Sequence, residues 1–453
     1  MTAPIGRQVP GPRGLPVVGS MMSFVRRGIP DTFAALHRDY GDIARLRLPG
    51  GAVVVALAHP DGAERILREN RDNYIKGVSY DPIRLLAGQN LVTAEGSAWA
   101  WRRRLAQPAF TREGVTALLP TMAECVDAML DRWQRTLVDG RRFDLQRELT
   151  DLTMRIVGRT LFGVELGGDA TDTSSKAFDA ALTLVHDRGA GSLSLPLAVP
   201  TPGNLRLRRA LATLRAEVEA IIARARTSDG PPTLLRALLT ARDPESGEAL
   251  DATQLRDEVI MLYLAGHETS ATLLTWTFWC LARAPEALAR LTAEITALGE
   301  PLAPTPEALA RVPYTRQVLQ ESLRLHPPAP LIPRTVVADD QIAGYHIPAG
   351  AHVAILVDHL HRHPTFWSQP HRFRPERFEG DAPPGRHKFA YIPFSAGPRT
   401  CIGNTFALWE TQLLLARILA RFHVDLDPRA PLRLAASTVH RPAGGVFARL
   451  RPR

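Results

Sequence analysis

Short runs of β-branched residues separated by turn residues occur early in the chain and again in its last third. Residues 43–48 and 52–57 are two such runs joined by a Pro-Gly-Gly turn, which predicts a β-hairpin. Further short strands are predicted around turns at Gly344 and at residues 348–350. Between residues 60 and 298 the apolar positions recur mostly every three or four residues, so this part is predicted to be helical.

The clearest helical pattern covers residues 253–284, where Asp251 and Gln254 resemble a capping box and Pro285 is expected to end the helix. An apolar, proline-containing loop is predicted at residues 192–204. Other helices are predicted at residues 121–138, 144–162, 206–226, 314–325 and 403–422. Neither an internal repeat nor a flexible linker divides the pattern. The sequence therefore predicts a mainly α protein with a minor β lobe, as one domain over residues 1–453 with a proline-rich lead-in at residues 1–20.

Composition narrows the class of protein. With 45% hydrophobic and 22% charged residues, the chain can bury a large core and is not globally disordered. The net charge of +9 comes almost entirely from arginine, because only Lys76, Lys176 and Lys388 are lysines. No basic run carries interleaved aromatic residues in a nucleic-acid-binding pattern, so no nucleic acid partner is expected. Arginine-rich coding bias or attraction of an acidic partner protein would account for the charge.

Three cysteines are too few for a disulfide framework, which favours a reducing compartment. No signal peptide is visible, and His267 and Glu268 interrupt the most apolar stretch, residues 259–282. We therefore expect a soluble, cytoplasmic protein without a membrane anchor. Glycine-rich nucleotide-binding signatures are absent from the sequence. His359, His361 and His363 alternate as zinc ligands on a strand could, but turn and surface roles are favoured for them.

The most informative segment is the cysteine loop, residues 393–403. Gly397 lets the backbone turn, and Gly403 would let the chain approach a flat group without a side-chain clash. Cys401 comes just before a predicted helix, whose N-terminal N–H groups and dipole favour a thiolate, and Arg399 adds positive charge. On this evidence a cysteine nucleophile and a single-thiolate metal ligand both remain open.

The pattern F-x-x-G-x-R-x-C-x-G, which begins at Phe394 and ends at Gly403, resembles the haem-binding loop of the cytochromes P450. The resemblance implies a single large P450-type haem domain, and companion motifs follow in the family's order along nearly the whole chain. It also implies that Cys401 is the axial ligand of the iron of haem b and that Arg399 pairs with a haem propionate.

Residues 265–269, Ala-Gly-His-Glu-Thr, lie midway along the longest predicted helix. Ala265 and Thr269 are four residues apart and share one helix face, where small side chains would admit a flat cofactor and a diatomic ligand. The Thr269 hydroxyl can bond back to the carbonyl of Ala265. The segment resembles the family's acid–alcohol pair, which implies that Glu268 and Thr269 relay protons during oxygen activation.

Arginines at two other places match propionate-binding positions of the family. The resemblance implies that Trp99 and Arg103, a W-x-x-x-R pair, hold one propionate, and that Arg334 matches a further such position. The neighbouring Arg102 and Arg104 are expected to lie on a solvated face.

Glu321 and Arg324 form a Glu-x-x-Arg pair that, taken alone, would be a surface ion pair. The downstream segment Pro-Glu-Arg-Phe resembles the family's partner segment and implies that Arg377 completes a buried structural network with them. One departure is visible: His363 stands where the family usually has aspartate before a proline.

The resemblance implies a monooxygenase that inserts one oxygen atom from O2 into a hydrophobic small molecule such as a fatty acid, terpenoid or polyketide. The residues of the cysteine loop and of the segment Leu-Arg-Leu-His-Pro-Pro resemble fatty-acid-type members of the family more than the compact bacterial ones. Electrons would come from a separate ferredoxin with its reductase or from a flavodoxin, and a soluble, bacterial-type monomer is expected. The alternatives are a peroxide-driven peroxygenase, a haem-thiolate sensor or electron carrier, and a cysteine hydrolase. By resemblance, the substrate pocket is formed by residues 80–90, 192–204, 263–264, 329–332 and 437–439.

Overall fold

The structure is a computed structural model that describes residues 6–15, 18–166, 181, 184, 196–227, 233–380, 385–430, 432–434 and 439–453. Its chain divides into two compact units. The first unit comprises Met1–Asp81, Leu323–Phe373 and Gly380–Cys401, and the second comprises Pro82–Ser322, Arg374–Glu379 and Ile402–Arg453. The expectation of one domain over residues 1–453 stays a prediction.

The described helices and strands are numbered separately along the chain. The helices are α1 (Met21–Tyr40), α2 (Pro60–Glu64), α3 (Asp81–Ala87), α4 (Gly96–Ala106), α5 (Arg112–Thr116), α6 (Leu119–Thr136), α7 (Leu145–Val157), α8 (Pro202–Thr227), α9 (Leu234–Thr240), α10 (Ala252–Ala282), α11 (Pro285–Thr296), α12 (Pro306–Ala310), α13 (Pro313–Leu325), α14 (Val357–Leu360) and α15 (Asn404–Arg421). The strands are β1 (Arg7–Gln8), β2 (Ile43–Arg47), β3 (Val53–Leu57), β4 (Tyr74–Ile75), β5 (Phe143–Asp144), β6 (Leu331–Val336), β7 (Asp340–Ile342), β8 (Tyr345–Ile347), β9 (His352–Leu356), β10 (Phe422–Leu426), β11 (Arg433–Leu434), β12 (Pro442–Ala443) and β13 (Phe447–Pro452).

The first unit is built on a five-stranded sheet in the order β2-β3-β9-β6-β4. β2 and β3 form the predicted antiparallel hairpin, with Ile43 opposite Leu57. β9 runs parallel to β3 and antiparallel to β6. Apolar side chains of these strands, including Val55 and Ile355, are fully buried in the unit's core. A smaller sheet in the same unit has the order β1-β8-β7.

The second unit is mainly helical. Its longest helix, α10, begins with the predicted capping box between Asp251 and Gln254 and ends at Ala282, and Pro285 is the first residue of the next helix. β10, β13 and β5 form a small sheet, and β11 pairs with β12. The prediction of a mainly α protein with a minor β part is confirmed. Among the described residues, none of the helices has both the length and the apolar character needed to cross a bilayer.

The other predicted helices match α6, α7, α8, α13 and α15 to within a few residues, apart from a π-helical turn that replaces the last part of residues 144–162. The predicted loop at residues 192–204 ends earlier than expected. Helix α8 begins at Pro202, because proline is favoured in the first turn of a helix. Residues 192–195 of that loop lie outside the described residues.

Helix α10 is buried over most of its length, with a short accessible stretch in its middle. A helix that is apolar all round belongs in a protein interior, and from residue 257 to residue 278 nearly every side chain of α10 is buried. The exceptions are residues 264–266 and 269. These four positions form an accessible window in the middle of an otherwise buried helix.

Candidate functional site

Cys401 belongs to the first unit and lies on the loop that precedes α15 along the chain. Its side chain is exposed, whereas Cys125 and Cys280 are buried. The Cys401 N–H donates a hydrogen bond to the carbonyl oxygen of Phe394 at 2.9 Å, which closes the loop. Arg399, in the turn before the cysteine, is half-buried. The structure thus presents a single accessible thiol on a hydrogen-bonded loop.

The two glycines of the cysteine loop differ in what they require. Gly397 has φ +68°, and a Cβ there would lie 2.1 Å from the carbonyl oxygen of Leu67. Only glycine fits this left-handed turn against neighbouring backbone. Gly403 has φ −89°, and its Cβ would approach Cε1 of Phe110 only to 3.8 Å. No described protein atom therefore requires glycine at position 403.

The accessible window of α10 contains the alanine and threonine singled out in the sequence. Ala265 is exposed and Thr269 is half-buried. The Thr269 hydroxyl donates a hydrogen bond to the carbonyl oxygen of Ala265 at 2.8 Å, the local bond that the spacing suggests. A Cβ on Gly266 would lie 2.8 Å from Cγ2 of Val157. Gly266 therefore allows α7 and α10 to pack closely.

The side chains beside this window differ in charge. Glu268 is 6% exposed, and its Oε1 lies 3.7 Å from Nη1 of Arg441. The ring of His267 is buried, with Nδ1 2.7 Å from the carbonyl oxygen of Tyr263, and burial lowers its pKa to about 4. At pH 7 His267 is therefore neutral and donates from Nδ1. Arg441 was missed by sequence reasoning, because no spacing rule links it to α10.

A second acid contacts α10 in the second unit. The Glu410 carboxyl of α15 is fully buried and accepts a hydrogen bond from the Ser270 hydroxyl at 2.5 Å. Burial raises the pKa of Glu410 to about 8, although this hydrogen bond opposes the shift. Glu410 is therefore protonated at pH 7. Its only sequence signal is a glutamate inside an apolar helical pattern.

Trp99 and Arg103 lie one turn apart on α4 and are half-buried. The expectation that Arg102 lies on a solvated face is wrong. Arg102 is 6% exposed, and its Nε lies 3.1 Å from Oε1 of Glu258 in α10. Burial raises the pKa of Glu258 to about 7. The hydrogen bond from the Leu91 backbone N–H and the positive charge of Arg102 both oppose this rise. A buried arginine is retained here because it has a charged partner.

Arg104 stays partly exposed, with 34% of its side chain accessible, and it also has an acidic partner. Its Nε and Nη2 donate to the two carboxylate oxygens of Asp243 at 2.6 Å and 2.9 Å. The Arg104 guanidinium lowers the pKa of Asp243 to about 2. Helical periodicity shows the run of arginines but not the acids that tertiary packing brings to it.

Arg334 occupies a buried position of β6 in the first unit and is 4% exposed. Its Nη1 lies 3.4 Å from the hydroxyl oxygen of Tyr80 and donates to the carbonyl oxygen of Pro333 at 2.8 Å. Within the described part of the chain, no carboxylate forms an ion pair with Arg334. A buried guanidinium normally has a counter-charge, so this position fits an anionic group.

Of the predicted structural network, the second unit holds Glu321 and Arg377 together. Arg377 Nε lies 3.2 Å from Oε1 of Glu321, and both side chains are buried. The backbone N–H of Arg374 donates to the same Glu321 oxygen at 2.8 Å. Arg324 belongs to the first unit and is fully buried. It donates to the carbonyl oxygens of His361, Pro370 and Arg372 at 2.9, 2.7 and 3.1 Å.

The three alternating histidines each have a protein partner. Nδ1 of His359 lies 2.7 Å from a carboxylate oxygen of Asp358. Nε2 of His361 accepts the N–H of Ile392 at 2.9 Å, and burial lowers the pKa of His361 to about 3. The ring of His363, the departure from the family pattern, lies 3.2 Å from Asp42. No three ligating side chains converge on one point in the described residues.

The segments predicted to line a substrate pocket are described only in part. Residues 192–195, 437 and 438 lie outside the described residues. The backbone carbonyl oxygen of Val439 accepts a hydrogen bond from the N–H of Arg441. The side chain of Arg441 forms the ion pair with Glu268. Of the other segments, Tyr263 is buried and Leu264 belongs to the accessible window.

Comparison with known proteins gives a consistent result. The cytochrome P450 family model matches residues 9–444. The chain is 34% identical over 422 residues to cyclooctat-9-en-7-ol 5-monooxygenase of Streptomyces melanosporofaciens, covering 93% of this chain and 90% of the relative. It is 33% identical to pentalenene oxygenase of Streptomyces avermitilis, covering 95% of this chain and 94% of the relative. The crystal structure of the cytochrome P450DA heme domain has a TM-score of 0.89 at 27% identity. The match covers 99% of this chain and 98% of that heme domain.

Proposed function

This chain belongs to the cytochrome P450 family and is a P450 monooxygenase, and from that premise we propose that it oxygenates a terpenoid hydrocarbon or alcohol. The family uses haem iron and generally takes electrons from separate redox partners. We propose haem b as the cofactor and a ferredoxin with its reductase as the electron source. The observation that carries the proposal is the accessible window of α10, which places Thr269 beside a paired Glu268.

The substrate class is supported by the names of relatives. Cyclooctat-9-en-7-ol, pentalenene and carotene occur in the names of similar enzymes. Each name denotes a compound with few or no hydrogen-bonding groups. Such a compound is held by apolar contact and shape, and Leu264 and Ala265 at the accessible window are apolar. This favours a terpenoid over the fatty acid and polyketide alternatives.

The residues present fit a haem group. Cys401 offers an accessible sulfur on a loop whose backbone is fixed by its own hydrogen bond. Arg334 is a buried guanidinium that forms no ion pair with a carboxylate of the described chain, and a haem propionate would supply that counter-charge. Cys401 would hold the iron, while Arg334, Arg399, Trp99 and Arg103 would hold propionates. When bound, haem held by the Cys401 thiolate would supply the oxygen-activating chemistry, with electron density from the thiolate that favours O–O cleavage.

The proposed task of α10 is proton transfer. Glu268 is nearly buried, and Arg441 provides the opposite charge that favours its carboxylate form. The Thr269 hydroxyl bonds to the Ala265 carbonyl, so rotation about its side-chain bond would release its hydrogen for donation into the accessible window. Glu268, once it has taken up a proton from solvent, would then pass that proton to Thr269 and return to the carboxylate form beside Arg441. The small side chain of Ala265 leaves space on this face of the helix. The buried remainder of α10 would keep bulk water from the transfer path.

The test uses purified holoenzyme, a ferredoxin with its reductase, NADPH and candidate terpenoids under 18O2. We expect a candidate substrate to shift the haem spin state and its product to gain one 18O atom. Cys401→Ser should abolish the thiolate-type spectrum of the reduced CO complex. Turnover with hydrogen peroxide alone, at the rate seen with O2 and NADPH, would instead support the peroxygenase alternative. Product without 18O would contradict oxygen insertion from O2.

A further inference from the structure

Two consecutive acids near the start of α10 hold a neighbouring loop by its backbone. Residues 88–93, which lie between α3 and α4 along the chain, are named the anchored loop. The N–H of Gln89 donates to Oδ2 of Asp257 at 3.2 Å. The N–H of Leu91 donates to Oε2 of Glu258 at 3.0 Å. Both acids are buried, at 7% and 5% exposure, so two carboxylates of α10 connect the helix to the main chain of this loop.

The anchored loop is a compact turn that fits closely against α10. Asn90 is fully buried, and its Oδ1 accepts the N–H of Val92 at 2.9 Å and that of Thr93 at 3.2 Å. Gly88 has φ +56°, and a Cβ there would lie 1.8 Å from Oδ2 of Asp257. Only glycine lets the backbone come this close to the carboxylate. Internal hydrogen bonds therefore set the shape of the loop, and the two carboxylates set its distance from α10.

This anchor costs stability. Nε of Arg102 lies 3.1 Å from Oε1 of Glu258, and Nη2 of Arg256 lies 3.1 Å from Oδ1 of Asp257. Burial still raises the pKa of both acids, although these arginines and the N–H groups of the loop oppose the rise. The folded protein therefore holds each carboxylate less favourably than water does. Local features that cost stability are expected where they serve a function.

The two acids and the accessible window share one face of α10. Asp257 precedes Leu264 by seven residues, and Glu258 precedes Ala265 by the same number. Seven residues make nearly two helical turns, so each acid lies on the face of its apolar counterpart, about 10 Å closer to the N-terminal end. The anchored loop therefore borders this face of α10 beside the window.

We propose that Asp257 and Glu258 are positioning residues, which fix the anchored loop as a wall beside the accessible window and so determine which carbon of a terpenoid lies over Ala265. The inference rests on the proposed function, because terpenoid oxygenation at the window is its premise. An apolar substrate forms few hydrogen bonds, so its orientation depends on the walls around it. A wall held through its main chain stays in place whichever side chains the loop carries.

The first experiment measures hydrogen–deuterium exchange of peptides that cover residues 86–95 in holoenzyme without substrate. Asp257→Ala should speed exchange there about tenfold, because the N–H of Gln89 loses a charged acceptor. Asp257→Asn keeps an acceptor oxygen and should exchange at close to the wild-type rate. Glu300→Ala removes an exposed acid of the same unit and should match wild type.

The second point of the anchor needs a variant that still folds. Arg102→Met/Glu258→Leu removes the acceptor of the Leu91 N–H without leaving one buried charge unpaired. It should also speed exchange of residues 86–95 about tenfold. Glu258→Gln keeps an acceptor oxygen and should stay closer to wild type than this double variant.

The second experiment measures regioselectivity with farnesol, a linear terpenoid alcohol. Its three double bonds are chemically similar and are spread along the chain, so the ratio of regioisomers reports which part lies over Ala265. Asp257→Ala and the double variant should change this ratio at least about threefold, because a small displacement of the bound molecule strongly changes the rate at each carbon. Asp257→Asn and Glu300→Ala should keep the wild-type ratio.

Two results would overturn the proposal. Unchanged exchange in both Asp257→Ala and the double variant would show that the acids do not hold the loop. Faster exchange with an unchanged ratio of regioisomers would show that the loop does not orient the substrate. Failure of the proposed function is separate, since wild-type protein would then oxygenate neither farnesol nor the other candidate terpenoids, whatever the exchange rates.

Discussion

Thr269 connects local helix geometry with the proposed chemistry. Its hydroxyl bonds to the Ala265 carbonyl at 2.8 Å, and its side chain borders the accessible window of α10. We expect Thr269→Ala to divert electrons to peroxide and to lower product per NADPH about tenfold, because a positioned proton donor is lost. Product, NADPH consumption and peroxide are measured together. Thr269→Ser keeps the hydroxyl and should stay coupled. Unchanged coupling in Thr269→Ala would contradict the relay.

Glu410 gives a pH-dependent prediction. Burial raises its pKa in the folded protein to about 8, from an ordinary value of 4.5. Between these values the unfolded chain has released the proton and the folded chain has kept it. Folding stability therefore falls as pH rises from about 5 to about 8, by up to about 1.4 kcal/mol per pH unit. Below that window Glu410 contributes no such loss, and above it the loss is constant.

The variant Glu410→Gln should remove this dependence, because an amide does not titrate and can still accept from Ser270. The free energy of urea unfolding is measured for both proteins at pH 5, 6, 7 and 8, a range set by the pKa values of 4.5 and about 8. The free energy of unfolding of the variant, relative to that of wild type, should increase as pH rises. Other titrating groups, including Glu258 and His267, are common to both proteins and cancel in the difference. A constant difference across the range would contradict a protonated Glu410.

At this scale the sequence predicts what local spacing determines. The bond from Thr269 to Ala265 follows from their separation on a helix, and the turn at Gly397 follows from its residue type. Arg441 and Glu410 were not predicted, because their contacts with Glu268 and Ser270 depend on how distant segments pack.

Among the elements, α4 and α10 are joined by a buried ion pair. Arg102→Met leaves the Glu258 carboxyl buried without its partner, and we expect a loss of about 3–5 kcal/mol in the free energy of unfolding. The double variant Arg102→Met/Glu258→Leu should recover most of this loss, since two apolar groups replace both charges. Urea unfolding at pH 8, above the Glu258 pKa of about 7, provides the measurement.

Arg226→Met is the matched control for this pair, because Arg226 is exposed on α8. It should change stability by less than about 0.5 kcal/mol. A double variant as unstable as Arg102→Met would show that the loss comes from packing of the arginine stem and not from the unpaired carboxyl.

The pair of Arg102 and Glu258 shows that helix bounds could be predicted from the sequence but contacts between helices could not. Helix bounds follow from apolar periodicity, caps and prolines, so α6, α10 and α15 were predicted to within a few residues. The arginine run of α4 has the pattern of a solvated face, and that prediction failed for Arg102, whereas Arg104 stays partly exposed. Their acids, Glu258 and Asp243, are far along the chain and become neighbours only when the helices pack.

For the whole molecule, the family could be predicted because its motifs are long and spread over the chain. The family model covers residues 9–444, which include the cysteine loop and α10. The division into two compact units was not predicted. Each unit is built from segments that are distant in sequence, and neither composition nor linker patterns mark such a division.

The net charge of +9 gives a prediction for the whole molecule. A positively charged protein attracts an acidic electron donor over long distances, and salt screens that attraction. We expect the second-order rate of reduction by an acidic ferredoxin to fall at least about tenfold as salt rises from about 0.01 M to about 0.1 M, since the Debye length shrinks from about 30 Å to about 10 Å. Stopped-flow formation of the reduced CO complex measures this rate. Dithionite, which needs no protein docking, provides the control and should show a much weaker salt dependence. A ferredoxin rate that does not change with salt would assign the arginine excess to coding bias.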